Sequence, residues 1–125
     1  MMKSTPKPPK AAAQVWWVNQ SSARKKTDPS QPADPTKPDR MFVVLALYRG
    51  NITAIPVQSS AGSKITMTEV ELTKTQYAWL SNDSKAVCNS IVTFPEEFAR
   101  SYVANVKSAD LDKIKTAIKS HLRIV

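Results

Sequence analysis

The sequence predicts a mainly β fold, in the form of a small, strongly bent sheet or barrel with one C-terminal helix. Three observations support this fold class. Short segments rich in β-branched and aromatic residues recur along the chain. Residues that favour turns separate these segments. Helical spacing of apolar residues is clearest near the C-terminus, at Leu111, Ile114, Ile118 and Leu122.

The first predicted elements flank a long connection. Residues 1–13 hold three prolines and three lysines without apolar periodicity, so we expect a disordered basic arm there. Residues 14–19 have the composition of a strand. Residues 20–39 form a basic, proline-broken loop, and loops of such length are usually functional or disordered. The apolar run 41–48 predicts a buried strand, and a turn at 49–51 leads to a return strand at 52–57.

The second half of the chain predicts shorter elements. Alternation over 65–72 indicates a strand with a bulge at Glu69. Residues 73–84 indicate a turn or helical excursion that places aromatic side chains on the core. Residues 85–94 predict one further strand that Pro95 ends, and 101–106 another. A helix is expected over 108–122, with Ser108 as its N-cap. Residues 14–125 are therefore expected to form a single domain.

The charge of the chain favours acidic partners. The formal net charge is +8 and the pI is near 9.8, values that favour association with polyanions such as nucleic acid. The first forty residues hold eight Lys or Arg against three Asp, so much of the excess charge lies near the N-terminus.

Other features of the composition argue against several classes of protein. Cys88 is the single cysteine, which excludes an internal disulfide and makes a reducing cytoplasm the simplest setting. One cysteine and one histidine, His121, are too few for a typical zinc site. No apolar run is long enough to span a membrane. Two glycines in the whole chain argue against a phosphate-cradling loop, so no cofactor is expected.

Four segments then occur in a suggestive order. They are Val15-Trp-Trp-Val18, Arg40-Met-Phe-Val-Val-Leu45, Pro56-Val-Gln-Ser59 and Ala86-Val-Cys-Asn-Ser-Ile-Val-Thr93. This order is similar to that of the MazF/PemK (Kid) toxins of bacterial toxin-antitoxin modules, over residues 14–122. The resemblance implies an SH3-like barrel, a homodimer and metal-independent cleavage of single-stranded RNA, with neutralisation by a small acidic antitoxin. It implies attack of the substrate's own 2′-hydroxyl on the adjacent phosphate.

That chemistry requires a base, an acid and positive charge near the phosphate. Arg40 matches the family's strand arginine and is the candidate for stabilising the phosphate or donating a proton; the alternative is a surface arginine at a strand entrance. Gln58 stands where family members have Thr, and Ser59 matches the following Ser, so the resemblance makes both candidate catalytic residues beside Arg40. Gln58 can position a phosphate or a water molecule but cannot act as a base, so this position departs from the family.

The candidate substrate-binding residues are Arg24, Lys25, Lys26 and Asn89. The first three lie in the loop with which the family grips its substrate, although a solvated charge run would have the same composition. Asn89 can form a hydrogen bond with a ribose or a base, or can simply lie in a turn or at the end of a strand. Trp16 and Trp17 are adjacent, so strand alternation predicts that one of them is buried.

Two other functions stay open at this point. Some members of the family have a charged pair where this chain has Val87 and Asn89. A barrel that kept the family's shape without catalysis would act as a nucleic-acid-binding or protein-binding module. A protein that only interacts with other proteins would bind RNA no more tightly than its charge predicts.

Overall fold

A computed structural model describes residues 10–19, 39–60 and 64–121. These residues form a seven-stranded antiparallel sheet and one α-helix. The strands are β1 (Gln14–Val18), β2 (Arg40–Tyr48), β3 (Asn51–Ser59), β4 (Glu69–Leu72), β5 (Ser84–Val87), β6 (Val92–Pro95) and β7 (Ala99–Asn105), and the helix is α1 (Ser108–His121). The predicted mainly β fold with one C-terminal helix is confirmed.

The strands β2 and β3 form a tight hairpin. Arg49 and Gly50 connect them and have φ angles of 49° and 78°. Positive φ at both central residues is the geometry of a type I′ turn, and it matches the twist of the two strands. Glycine adopts this conformation at no steric cost, which explains its presence at the second position. The hairpin fixes the register between β2 and β3, and therefore the positions of the residues at its far end.

The strand β3 changes neighbours along its length. The order across the sheet is β4-β5-β3-β2-β1-β7, and β6 also pairs with β3. Residues 51–56 of β3 pair with β2, and residues 51–54 also pair with β6. Val57–Ser59 pairs with β5. The ladder with β2 ends at Pro56, which has no N–H to donate. The sheet therefore bends around the middle of β3.

Alternation along the strands separates two apolar clusters. The first lies under α1 and includes Val15, Val43, Ile55, Leu72 and Ile114. The second includes Trp16, Val18, Phe42, Val44, Ile52 and Phe94. Trp16 is 1% exposed and Trp17 is 39% exposed, so one of the two adjacent tryptophans is buried, as the alternation predicted.

A buried polar contact fastens α1 to the connection between β4 and β5. The Tyr77 hydroxyl donates a hydrogen bond to Oδ2 of Asp110 and accepts one from the backbone N–H of Lys107, at 2.9 Å. Tyr77 and Asp110 are both buried. Burial, and then the hydrogen bond to Asp110, raise the pKa of Tyr77 to about 12. The contact joins the first turn of the helix to the sheet.

Two predicted strands have different bounds in the structure. The strand predicted over 65–72 begins only at Glu69, because Ile65 and Met67 are exposed and unpaired in the sheet. The predicted bulge at Glu69 is therefore the boundary between a loop and a strand. The strand predicted over 85–94 is two strands, β5 and β6, with a turn after Val87. The helix predicted over 108–122 runs from Ser108 to His121, and position 122 lies outside the described residues.

Within the described residues, no helix is long and apolar enough to cross a membrane. The same residues contain no cluster of three potential metal-ligating side chains.

Candidate functional site

Arg40 is the first residue of β2, at the end of the sheet away from the hairpin turn. Its Cα partner is Val18, the last residue of β1. The Val18 side chain is buried in the second apolar cluster, whereas Arg40 is half-buried. Alternation places Arg40 and Phe42 on the same face of the sheet. The aliphatic part of an arginine can lie along such apolar surface while its guanidinium reaches water.

The register brings Gln58 to the same end and the same face of the sheet. Phe42 and Pro56 are the last Cα partners between β2 and β3. Arg40 lies two residues before Phe42, and Gln58 lies two residues after Pro56. Because side chains alternate with a period of two, Arg40 and Gln58 face the same side. Gln58 is half-buried. The register therefore gives these two candidates the same end and the same face of the sheet, each two residues beyond the last partners of β2 and β3.

Ser59 lies on the other side of the strand. It follows Gln58 directly, pairs with Ser84 of β5 and is exposed. The next residue, Ser60, donates hydrogen bonds from its N–H and its hydroxyl to the carbonyl oxygen of Asp83, both at 3.0 Å. These bonds hold the end of β3 beside the start of β5. Ser59 thus shares the end of the sheet with Arg40 and Gln58 but not the face.

A sheltered ion pair that the sequence analysis missed lies beside Gln58. The Cα partner of Gln58 in β5 is Lys85. The Nζ atom of Lys85 lies 2.7 Å from Oε2 of Glu69 in β4, and each side chain is 10% exposed. The hydrogen bond from Lys85, and then one from the backbone of Thr66, lower the pKa of Glu69. Glu69 is therefore an ionised carboxylate at neutral pH.

We call Arg40, Gln58, Lys85 and Glu69 the cross-strand row. Its members come from β2, β3, β5 and β4, which are consecutive in the sheet. Two cations lie on either side of an amide, and the carboxylate lies beyond one of them. Side chains of this kind can hold an anion by charge and by hydrogen bonds from N–H groups. The alternation of charged and apolar residues in β4 was the only sequence signal for the ion pair.

The remaining candidates are not joined to this row. Asn89 is exposed in the turn after β5, and the described residues show no side-chain hydrogen bond from it to Arg40 or Gln58. Arg24, Lys25 and Lys26 lie outside the described residues. Cys88 is fully buried, and burial, then the charge of Glu69, raise the pKa of its thiol to about 11. A thiol in that state is a poor nucleophile at neutral pH.

A groove that includes Glu69 of the row has the wrong charge for a nucleic acid. This groove of about 740 Å³ runs between β4 and α1. Its charged lining residues are Glu69, Glu71, Asp110, Asp112 and Lys113. Four carboxylates against one ammonium would repel phosphates. The cross-strand row is therefore the better candidate site for an anionic ligand.

Comparison with protein families gives one assignment. Residues 11–122 match the family described as PemK-like, MazF-like toxin of type II toxin-antitoxin system. No curated protein matches the sequence.

Solved structures share the fold at low sequence identity. An endoribonuclease in complex with its cognate antitoxin, from mycobacterial species, superposes with a TM-score of 0.66 at 14% identity, covering 94% of this chain and all of that one. MazF of a MazE-MazF complex from Deinococcus radiodurans gives 0.64 at 18% identity, covering 91% and 95%. The Mycobacterium tuberculosis toxin MazF-mt6 gives 0.62 at 14% identity, covering 86% and 93%.

Proposed function

Because the chain belongs to the PemK-like, MazF-like family of toxins of type II toxin-antitoxin systems, we propose that it is an endoribonuclease that cleaves single-stranded RNA without a metal ion. The cross-strand row is the observation that carries this proposal. In support, Arg40 and Lys85 belong to the strands on either side of the one that carries Gln58, and alternation gives all three side chains the same face of the sheet. A phosphodiester over Gln58 would meet positive charge from both sides.

The proposed reaction uses the substrate's own 2′-hydroxyl. That hydroxyl gives its proton to a water molecule, its oxygen forms a bond to the adjacent phosphorus, and the bond from phosphorus to the 5′-oxygen breaks. The leaving 5′-oxygen takes a proton from a water molecule, so the products are a 2′,3′-cyclic phosphate and a 5′-hydroxyl. Negative charge grows on the phosphate oxygens in the transition state, and a fixed cation stabilises it more than the ground state. Arg40 fits this role because its planar guanidinium stays charged and can hold two phosphate oxygens.

The other proposed site residues have lesser roles. Gln58 can donate hydrogen bonds from its amide to the phosphate or to a water molecule, and it has no basic group. The alternation of β3 favours Gln58 over Ser59 as the residue beside Arg40. We assign Ser59, Asn89 and the basic residues Arg24, Lys25 and Lys26 to contacts with the rest of the RNA.

The proposal includes partners. The mycobacterial endoribonuclease is in complex with its cognate antitoxin, and the Deinococcus structure is a MazE-MazF complex. By family analogy we infer a cognate antitoxin for this chain, and the net charge of +8 favours an acidic one. The same analogy supports a homodimer, and an RNA substrate together with a single cysteine supports a cytoplasmic location.

The experiment is cleavage of a long single-stranded RNA in excess EDTA. The wild-type protein is compared with Arg40→Ala and with Arg49→Ala, which removes the same charge at the opposite end of β2. We expect recurrent cuts at a short motif with the wild-type protein and Arg49→Ala. We expect Arg40→Ala to be slower by about 10²-fold to 10³-fold, the usual cost of losing one group that stabilises the transition state.

Two outcomes would redirect the proposal. Equal cleavage by Arg40→Ala and wild type would remove Arg40 from the reaction. No cleavage by the folded wild-type protein, free of antitoxin, would favour the nucleic-acid-binding or protein-binding module. The absence of ionisable side chains at Val87 and Asn89 is the observation that favours this second function.

A further inference from the structure

The ion pair between Glu69 and Lys85 differs from the one between Asp110 and Lys113. Lys85 and Glu69 are 2.7 Å apart, and both side chains are 10% exposed. Lys113 and Asp110 are 3.8 Å apart, and the Lys113 side chain is 69% exposed. Removing a charge from water is costly unless the charge is paired and hydrogen-bonded. The sheltered pair therefore fixes an ammonium group that an exposed lysine would leave free to move.

Glu69 is itself held in place. Its Oε1 atom accepts a hydrogen bond from the backbone N–H of Thr66, at 3.0 Å, while its Oε2 atom contacts Lys85. Both carboxylate oxygens are thus engaged, one by the loop before β4 and one by β5. The position of the carboxylate decides where the ammonium lies.

The ammonium lies next to the strand that carries Gln58. Lys85 and Gln58 are Cα partners, so their side chains leave the same face of the sheet. The sheet order puts β3 between β5, with Lys85, and β2, with Arg40. Glu71 is the Cα partner of Lys85 on its other side and is exposed. The carboxylates of Glu69 and Glu71 thus lie on β4, on one side of Lys85. Gln58 lies on β3, on the other side of Lys85.

An ammonium group has three N–H donors. Lys85 can therefore contact Glu69 and donate to an oxygen of a second anion at the same time. A partly buried charge also acts through less water than an exposed one, so its attraction for a phosphate is screened less. We propose that Lys85 is a second phosphate-binding cation of the site, and that Glu69 is the positioning residue that holds it. This inference rests on the proposed function and adds a cation to it.

The test is the salt dependence of kcat/KM for cleavage of single-stranded RNA. Each phosphate contact with a single strand contributes about 0.7 to the slope of log affinity against log salt concentration. We expect the slope for Lys85→Met to be smaller by about 0.7 than that of wild type, with kcat/KM lower by about tenfold at low salt. Lys113→Met is the matched control, because it removes a lysine that also faces a carboxylate but lies on α1. Its slope should equal that of wild type.

Further variants separate phosphate binding from a structural role. Lys85→Arg keeps the charge and should keep the wild-type slope. The double variant Glu69→Gln, Lys85→Met leaves no unpaired buried charge and should fold even if Lys85→Met does not. If Lys85 binds phosphate, the double variant has the reduced slope and the reduced kcat/KM. If the ion pair serves only the fold, the double variant recovers wild-type values, and the inference is wrong.

The outcomes also distinguish the inference from the proposed function. If wild type cleaves RNA and the double variant matches it in slope and rate, the proposed function stands and the inference falls. If wild type binds RNA without cutting it, the same comparison is made on the binding constant of the intact RNA. A reduced slope then supports Lys85 as a phosphate contact in a binding module. If wild type neither cuts nor binds RNA, both proposals fall.

Discussion

Replacing Tyr77 by Phe would remove one oxygen atom on which the docking of α1 depends. The hydroxyl donates to the carboxylate of Asp110 and accepts from the backbone N–H of Lys107. The ring would keep its buried position, because Phe has the same shape without the oxygen. The substitution therefore tests the polar contact and leaves the apolar packing in place.

The expected loss of stability follows from the two hydrogen bonds of the Tyr77 hydroxyl. A hydrogen bond to a charged group contributes about 1.5–3 kcal/mol, and an unsatisfied buried group costs a similar amount. Tyr77 is 3% exposed, so water cannot readily replace its hydroxyl. We expect Tyr77→Phe to lower the free energy of unfolding at pH 8 by about 2–3 kcal/mol. Urea titration followed by tryptophan fluorescence measures this difference.

The pH dependence of the free energy of unfolding gives a second test of the same contact. Burial and the bond to Asp110 raise the pKa of Tyr77 from 10.0 to about 12 in the folded protein. The unfolded chain loses the proton first, so this contribution to stability is full below pH 10 and disappears as pH rises toward 12. Between pH 8 and pH 11 the wild-type protein should lose about 1.4 kcal/mol that Tyr77→Phe does not lose. The difference between the two proteins should shrink accordingly.

A matched control is available on the surface. The Tyr102 hydroxyl donates to Oδ1 of Asn105 at 2.6 Å in an exposed position. Tyr102→Phe should change the free energy of unfolding by no more than about 0.5 kcal/mol. A loss below that value for Tyr77→Phe at pH 8, or a difference that stays constant to pH 11, would refute the role assigned to the buried contact.

Two further predictions concern the core. Ile114→Ala should lower the free energy of unfolding by about 2–5 kcal/mol in the same urea assay, because Ile114 is fully buried between α1 and the sheet. Leu47→Ala is the control, since the Leu47 side chain is 36% exposed and its loss should cost much less stability. Equal losses for the two variants would contradict the assignment of the core. Cys88 should resist iodoacetamide at pH 8 in the folded protein and react in urea, since burial raises the pKa of its thiol to about 11. Mass spectrometry measures the labelling. If the folded protein is labelled as rapidly as the unfolded one, the thiol is accessible and the prediction is wrong.

The strands of the hairpin were predictable because local signals agree there. A continuous apolar run, a turn with Gly50 and a second apolar run specify β2 and β3 without any knowledge of the partners. The segment 65–72 was mispredicted because alternation alone does not reveal pairing. Ile65 and Met67 continue the apolar alternation into a loop where both side chains are exposed. The division of residues 85–94 into two strands was missed because neither Gly nor Pro marks the turn after Val87.

The candidate site was only partly predictable for a related reason. Arg40 and Gln58 were chosen from a resemblance, and the register of the hairpin then explains why both lie at one end of the sheet. The pair of Glu69 and Lys85 joins residues on separate strands, and only the pairing of β4 with β5 brings them together. Asp110 lies in the first turn of α1, where the positive end of a helix favours an acidic residue, but its burial against Tyr77 depends on tertiary packing.

The position of each strand in the sheet affects how readily that strand opens locally. A strand with neighbours on both sides exchanges its amide hydrogens last, whereas an edge strand opens with little loss of structure. Arg40 and Gln58 are attached to the interior strands β2 and β3, and Glu69 is attached to β4, at the edge of the sheet. Opening of β4 alone would release Glu69 while Arg40 and Gln58 kept their places. Three members of the cross-strand row, Arg40, Gln58 and Lys85, are thus attached to interior strands, and Glu69 alone can detach with its strand and return.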